Sequence, residues 1–371
     1  MAVIDQLKDI AADPYAYARK WRADTGRPVL GFFCSYTPEE IIHAAGALGV
    51  RLFGSGAAIE KADAHLQAYS CSLVRGSLED VLNGRLDFLD GAVFPHTCDS
   101  IQRLSDIWRL NAGLRFHADV VLPVKLNTES ARVYTSEVFQ DFAAELAAAV
   151  ETPISQDRLQ EAVEVANGIR AAVRRLYAIR RARPAAIPGS DLHAIIKAGM
   201  VMEREAYLEA LTSLLSALNP STGDVGIPAP VILSGGVCNL PDLYGIVESA
   251  GGTVVWDDLC TGVRGFGGVI ATDGDLMTNI ANRYVERLVC PAKHAGIHKR
   301  GDDLLEQVRL NGARGVIFVM LKFCDPHGFD LPYLKGVLEG AGIPSLLLEL
   351  EEGGRADEQL RTRIEAFIEM I

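Results

Sequence analysis

Two hydrophobic patterns alternate along the chain. Short continuous apolar runs are separated by stretches in which apolar residues recur three and four positions apart. The first pattern is that of strands buried on both faces, and the second that of amphipathic helices. In the first third, residues 28–33, 50–53, 88–94 and 119–124 read as strands, with helical patterns over 38–48 and 77–82 between them. Thr37-Pro38-Glu39-Glu40 has a helix-start signature: a Thr cap, Pro at the first helical position and Glu three residues after the cap. From about residue 134 to 218 the pattern turns helical, in segments 158–183 and 191–218 broken by Pro184-Ala-Ala-Ile-Pro188-Gly-Ser. Strand runs return at 230–233, 253–256, 315–320 and 345–350, and 351–357 is a polar turn before a last helix. Strands alternating with helices imply parallel sheets and right-handed crossovers. The chain therefore reads as α/β. Two doubly wound, Rossmann-like parallel-sheet domains are expected over 1–133 and 221–371, with a helical segment over 134–220.

Size and charge narrow the function. With 371 residues the chain exceeds one ordinary core. Its 49% hydrophobic and 23% charged content is that of a packed globular protein. A net charge of −12 argues against nucleic acid as the main partner, because phosphate backbones need a basic surface. It leaves room for a phosphate-bearing small ligand held by a few local Arg or Lys groups. The start, Met1-Ala-Val-Ile-Asp-Gln-Leu-Lys, carries early charges unlike a signal peptide. No uncharged apolar run approaches the ~20 residues that span a bilayer, so no membrane association is expected and the expected location is cytoplasmic. In that compartment seven cysteines point away from disulfides and toward metal or redox chemistry.

The positions of those cysteines carry the most chemistry. Cys98 closes Phe88-Leu-Asp-Gly-Ala-Val-Phe-Pro-His-Thr-Cys98-Asp, and Cys324 closes Gly315-Val-Ile-Phe-Val-Met-Leu-Lys-Phe-Cys324-Asp-Pro. Both fall at or just past the carboxyl end of a predicted strand, where open α/β sheets bind ligands. Cys71 opens a helical pattern, and a helix N-terminus stabilises a thiolate. Together Cys71, Cys98 and Cys324 suggest a soft-metal or cluster site, although each serves equally as a small buried apolar group. Cys34, Cys238 and Cys260 also follow strand runs, and for them the buried apolar role leads. Cys290, before Pro291, reads as structural. No C-x-x-C pair is present, so the chain is not a zinc ribbon or a ferredoxin. No phosphate-binding loop of the G-x-x-x-x-G-K-[ST] type is present, so the chain itself is not expected to hydrolyse ATP. Gly54-Ser-Gly56 and Gly265-Phe-Gly267-Gly268 fit turns rather than a dinucleotide fingerprint. His43, with Glu39 and Glu40 at the start of its helix, offers acid–base groups near the sheet mouth, or a capping carboxylate and a half-buried imidazole. His294 and His298 sit in a basic stretch with Lys293, Lys299 and Arg300 that reads as a solvated loop. Arg103 and Arg109, beside Trp108, are candidates for an anionic ligand or a contact between subunits, with surface ion pairing as the default.

Five stretches resemble the 2-hydroxyacyl-CoA dehydratase and benzoyl-CoA reductase family of iron–sulfur subunits. They are Pro38-Glu-Glu-Ile-Ile-His-Ala-Ala-Gly46, Tyr69-Ser-Cys71-Ser, Leu89-Asp-Gly-Ala-Val-Phe-Pro-His-Thr-Cys98-Asp, Trp256-Asp-Asp-Leu-Cys260-Thr-Gly-Val-Arg264 and Lys322-Phe-Cys324-Asp-Pro326. They occur in order through nearly the whole chain, whose length resembles that of the smaller, β-type subunit. The resemblance implies a [4Fe-4S] cluster on three thiolates matching Cys71, Cys98 and Cys324, with one iron open. It implies a related α-type subunit with its own cluster, and a separate ATP-hydrolysing iron–sulfur activator that delivers one low-potential electron. In the dehydratases that electron makes a ketyl radical of the acyl-CoA substrate, which expels its 2-hydroxyl group. In the benzoyl-CoA branch, related machinery reduces an aromatic ring. Ser35, Tyr36, Glu40 and His43 are the candidates for the pocket wall. The additional thiols also admit a double-cubane branch that acts on small molecules. An electron-relay or scaffold subunit remains a further alternative.

Overall fold

The computed structural model describes residues 2–54, 56, 58–218, 226–239, 241–287, 290–296, 298–351 and 357–371. Most of the predicted tail turn at 351–357, Ser55 and the expected boundary at 220/221 lie outside the described residues. The chain opens with α1 (Ala2–Ala12) and α2 (Pro14–Thr25). It continues through β1 (Val29–Phe32), α3 (Glu39–Ala44), β2 (Leu48–Arg51), α4 (Ser72–Leu82), β3 (Gly91–Phe94), α5 (Asp99–Asn111) and β4 (Phe116–Asp119). Four helices follow: α6 (Glu129–Ala149), α7 (Gln156–Ala182), α8 (Gly189–Ala198) and α9 (Arg204–Ala217). The last third runs β5 (Pro230–Gly235), α10 (Leu243–Ser249), β6 (Thr253–Asp258), α11 (Val263–Phe266), α12 (Leu276–Glu286) and α13 (Lys299–Asn311). It ends in β7 (Gly315–Leu321), α14 (Asp325–Gly340), β8 (Ser345–Leu350) and α15 (Asp357–Met370).

Among the described residues the strands form two parallel four-stranded sheets, ordered β2-β1-β3-β4 and β6-β5-β7-β8. The two orders are the same, and in each the chain reverses direction across the sheet after its second strand. A crevice therefore opens outside the carboxyl ends of β1 and β3, and another outside those of β5 and β7. One apolar cluster receives Phe33, Val50 and Phe94 from the first half together with Val231, Leu233 and Ile317 from the second, so both sheets share a core. The other face of the first sheet, with Leu30, Phe32 and Phe116, packs on residues of α6, α7 and α12. The outer face of the second sheet buries Ile232, Val316 and Phe318 against α13 and α14.

Three local expectations need correction. The fourth strand occupies Phe116–Asp119 rather than 119–124. It is an edge strand whose residues alternate between buried and half-buried, so a criterion of continuous apolarity passes over it. The residues that follow leave the sheet, and Val121 and Val124 are exposed. The second strand begins two residues early, at Leu48, because it pairs with β1 from Val29↔Leu48. Thr37 does not cap α3: Pro38 holds the cap position, and the Thr37 hydroxyl is buried without a hydrogen-bond partner. Its carbonyl instead accepts a 2.7 Å bond from the Tyr284 hydroxyl.

Candidate functional site

Cys71, Cys98 and Cys324 come from three separate connections, and all three line one cavity of about 400 Å³. Each stands at the N-cap position of a helix: Cys71 before α4, Cys98 before α5 and Cys324 before α14. The positive ends of three helix dipoles are thereby directed at three sulfurs. The backbone N–H groups of Ser100 and Ile101 face the Cys98 sulfur. Burial nevertheless pushes the Cys98 thiol up to about 12, and the neighbouring Cys71 and Cys34 sulfurs add to the rise. Burial also pushes Cys324 far above the ordinary thiol range, with Cys71, Cys98 and Cys260 contributing. Buried thiols such as Cys98 and Cys324, whose ionisation is opposed by burial and by neighbouring sulfurs, suit a cationic occupant, which reverses that penalty and takes them as thiolates. Among the described residues no group of three His, Cys, Asp or Glu side chains is gathered around a single metal ion. Asp99, Ser100, Pro291 and Phe323 complete the near wall, and Phe329, 86% exposed, stands at the rim.

Behind Cys324 lies a polar chain. Its sulfur is 3.2 Å from Nδ1 of His327, one helical turn on. His327 Nε2 is 3.3 Å from Nη1 of Arg264, which also donates to the Cys260 sulfur at 3.4 Å. Arg264 clamps Asp258 through two further bonds of 2.6 and 2.7 Å. Burial alone would raise the Asp258 carboxyl, but Arg264 and Arg300 outweigh it and hold it below the ordinary range. Burial, with Arg264 and Arg300, pushes the His327 imidazole down to about 3, so it is neutral.

The remaining thiols divide. Cys238 is buried in the shared core. Cys290 belongs to the apolar cluster on the other face of the first sheet and Cys34 packs against it; burial pushes Cys290 up to about 11, with Cys34 and Cys260 adding to it. Lys293 departs from the expected solvated loop. It is 2% exposed, and its ammonium donates to the Leu122 carbonyl at 2.7 Å. His294 and His298 are exposed, as expected of that stretch. Arg103 and Arg109 form surface ion pairs with Asp106 and Asp119.

The four pocket candidates occupy two places. Ser35 and Tyr36 are buried in the turn after β1, against Arg287. That guanidinium lies 4.1 Å over the Tyr36 ring and 3.4 Å from the Ser35 hydroxyl. Glu40 and His43 line a different, small cleft of about 40 Å³ with Arg170 and Arg204. Glu40 is ion-paired with Arg170 and accepts a 3.0 Å bond from the Tyr284 hydroxyl. Burial would raise its carboxyl, but Arg170 and Arg283 overcome that and hold it at about 2. Such a group stays ionised at neutral pH and does not shuttle protons there. His43 Nε2 is 2.7 Å from Glu205.

The family described as "2-hydroxyglutaryl-CoA dehydratase, D-component" matches residues 34–371. Its first matched residue is Cys34, so the match contains all seven cysteines. The chain belongs to the 2-hydroxyacyl-CoA dehydratase and benzoyl-CoA reductase family. It is similar to a benzoyl-CoA reductase subunit of Thauera aromatica, with 30% identity covering 96% of this chain and 94% of the relative. It is similar also to the (R)-phenyllactyl-CoA dehydratase beta subunit of Clostridium sporogenes, with 27% identity over 99% and 98% of the two chains. The beta subunit of the lactoyl-CoA dehydratase of Anaerotignum propionicum gives 27% over 100% and 99%. Membership makes the protein an enzyme subunit of dehydratase or reductase type. Among the described residues no helix is long and apolar enough to cross a membrane.

Residues with no role assigned from the sequence now frame the site of this dehydratase-family subunit: His327, Arg264, Arg287 and Lys293. One of them had a readable signal. Cys324-Asp-Pro-His327 has the cap-to-third-residue spacing at which two side chains meet at a helix start. Arg264 closes the stretch Trp256–Arg264 quoted for the resemblance but had no local signal as a partner of His327, and Arg287 and Lys293 come from distant segments and had none.

Proposed function

We propose that this chain is the β-type subunit of a 2-hydroxyacyl-CoA dehydratase and holds a [4Fe-4S] cluster on Cys71, Cys98 and Cys324. The observation that carries the reading is the meeting of these three thiols in one cavity, each at a helix N-terminus. Thiols too dispersed for a single ion, yet facing one space, suit a polynuclear group with one corner left open. When bound, the cluster supplies a single low-potential electron to an acyl-CoA thioester. The chain's own residues shape the setting for that chemistry. Phe323 closes part of the wall, and the helix termini stabilise thiolate charge. Arg287, with Ser35 and Tyr36, forms a buried cationic corner at the carboxyl edge of the first sheet. The reading includes a related α-type subunit and a separate ATP-hydrolysing iron–sulfur activator, in keeping with relatives named as subunits. It also includes a cytoplasmic location and the division into doubly wound domains at 1–133 and 221–371 about a helical segment at 134–220.

The second reading is a subunit of an ATP-dependent aromatic ring reductase. It is favoured by the 30% identity with the benzoyl-CoA reductase chain of Thauera aromatica. Electron-consuming ring reduction separates it from net dehydration without electron consumption. The test begins with iron and acid-labile sulfide per chain after strictly anaerobic purification. About four irons are expected for one cubane. Cys98→Ala and Cys324→Ala are each expected to lose the iron, and Cys290→Ala to keep it. Equal iron in all three variants removes the ligand assignment. About eight irons move the reading to a double cubane drawing on Cys34, Cys238 and Cys260.

A further inference from the structure

Cys324 meets an imidazole whose proton position is set from behind. The guanidinium of Arg264 has donors and no acceptor. Its Nη1 stands 3.3 Å from Nε2 of His327, so Nε2 must present a lone pair and the ring proton sits on Nδ1. That nitrogen is the one 3.2 Å from the Cys324 sulfur. Arg264 is fixed by its two bonds to Asp258, so the sequence carboxylate, guanidinium, imidazole, sulfur is held at each link. Arg264 donates directly to Cys260 as well, so a single guanidinium orients hydrogen bonds toward two sulfurs.

We propose that His327 is a positioning residue that donates an Nδ1–H hydrogen bond to the Cys324 sulfur and so makes the metal group on that thiolate easier to reduce. This rests on the cluster assignment above. A donor on a ligating sulfur withdraws charge from it, and the more electron-rich reduced state gains more from the bond than the oxidised one.

The experiment is an EPR-monitored redox titration of the anaerobically purified full chain and of His327→Leu, His327→Asn and His327→Gln, each with iron determined. The Asn amide nitrogen falls where Nδ1 stood, whereas the Gln amide nitrogen falls nearer the place of Nε2. At a fixed potential His327→Leu and His327→Gln are expected to show an about tenfold lower ratio of reduced to oxidised cluster. For a one-electron couple that is a midpoint lower by ~59 mV. His327→Asn is expected to keep the parent midpoint. Should the Leu variant lose its iron, the Asn and Gln pair decides alone. Parent-like midpoints in every iron-bearing variant overturn the proposal, and so does loss of iron from the Asn variant. Absence of iron from the parent chain is a different failure, since it removes the cluster assignment itself.

Discussion

Phe323 has a φ of +65°, a left-handed conformation that costs an L-residue roughly 1–2 kcal/mol. It precedes Cys324, is 41% exposed and forms part of the cavity wall. Strain kept at such a place belongs to the site rather than to the fold. Phe323→Gly relieves it but gives the unfolded chain about 0.5–1 kcal/mol more entropy, so stability should stay level or rise by up to ~1 kcal/mol. The wall it leaves is thinner, and iron in air-exposed protein should be lost several-fold faster. Urea unfolding and timed iron release measure the two, and a large destabilisation would remove the strain argument. The residue scale is also where the sequence is read least evenly. Cys71, Cys98 and Cys324 were visible because each closes or opens a recognisable run. Arg287 and Lys293 were not, because only folding brings them beside Tyr36 and Leu122. Glu40 was legible as a carboxylate near the sheet mouth, but its ionisation depends on arginines far along the chain.

At the scale of elements, β5 and β7 run so close that Gly235 has no room for a side chain. A Cβ there would overlap the Val319 carbonyl oxygen. Gly235→Ala must therefore push apart the central strands of the second sheet, at a cost of about 3 kcal/mol. It must also displace the exit of β7 that carries Cys324, so lower iron content should accompany the lower urea midpoint. Gly236→Ala is the control for stability, since its Cβ meets nothing nearer than 3.4 Å. If Gly235→Ala unfolds at the parent's urea concentration, the close approach is not what fixes the strand pair. Both central strands of that sheet were legible, and β8 at Ser345–Leu350 coincides with its apolar run. β8 is an edge strand as well, yet Ser345-Leu-Leu-Leu-Glu-Leu350 is apolar enough to be read, whereas Phe116-His-Ala-Asp119 shows only alternation.

The whole molecule is joined through Glu40. This carboxylate sits on α3 beside the first sheet, and its partners Arg170 on α7 and Tyr284 on α12 come from the helical segment and from beyond β6. Folding the first sheet without the other two parts would strand a buried charge, which costs about 3–5 kcal/mol when one partner is removed. The described residues should therefore unfold in one cooperative transition. The pH dependence follows from the direction of the shift. The Glu40 carboxyl is lowered in the folded protein from 4.5 to about 2, so the native state holds the proton less tightly than the unfolded chain does. Its contribution is complete above pH 4.5 and is lost as the pH falls toward 2, amounting to about 3 kcal/mol by linkage. Asp258 is lowered as well and adds an acid dependence of the same sign, so the informative quantity is a difference between two proteins. Glu40→Gln should be less stable than the parent by about 3 kcal/mol at pH 7, and the gap should close as the pH falls from 4.5 to 2. Urea unfolding at intervals over that range measures it. A constant gap at every pH, or two separated transitions in the parent, would mean that Glu40 packs locally and does not tie the two sheets together.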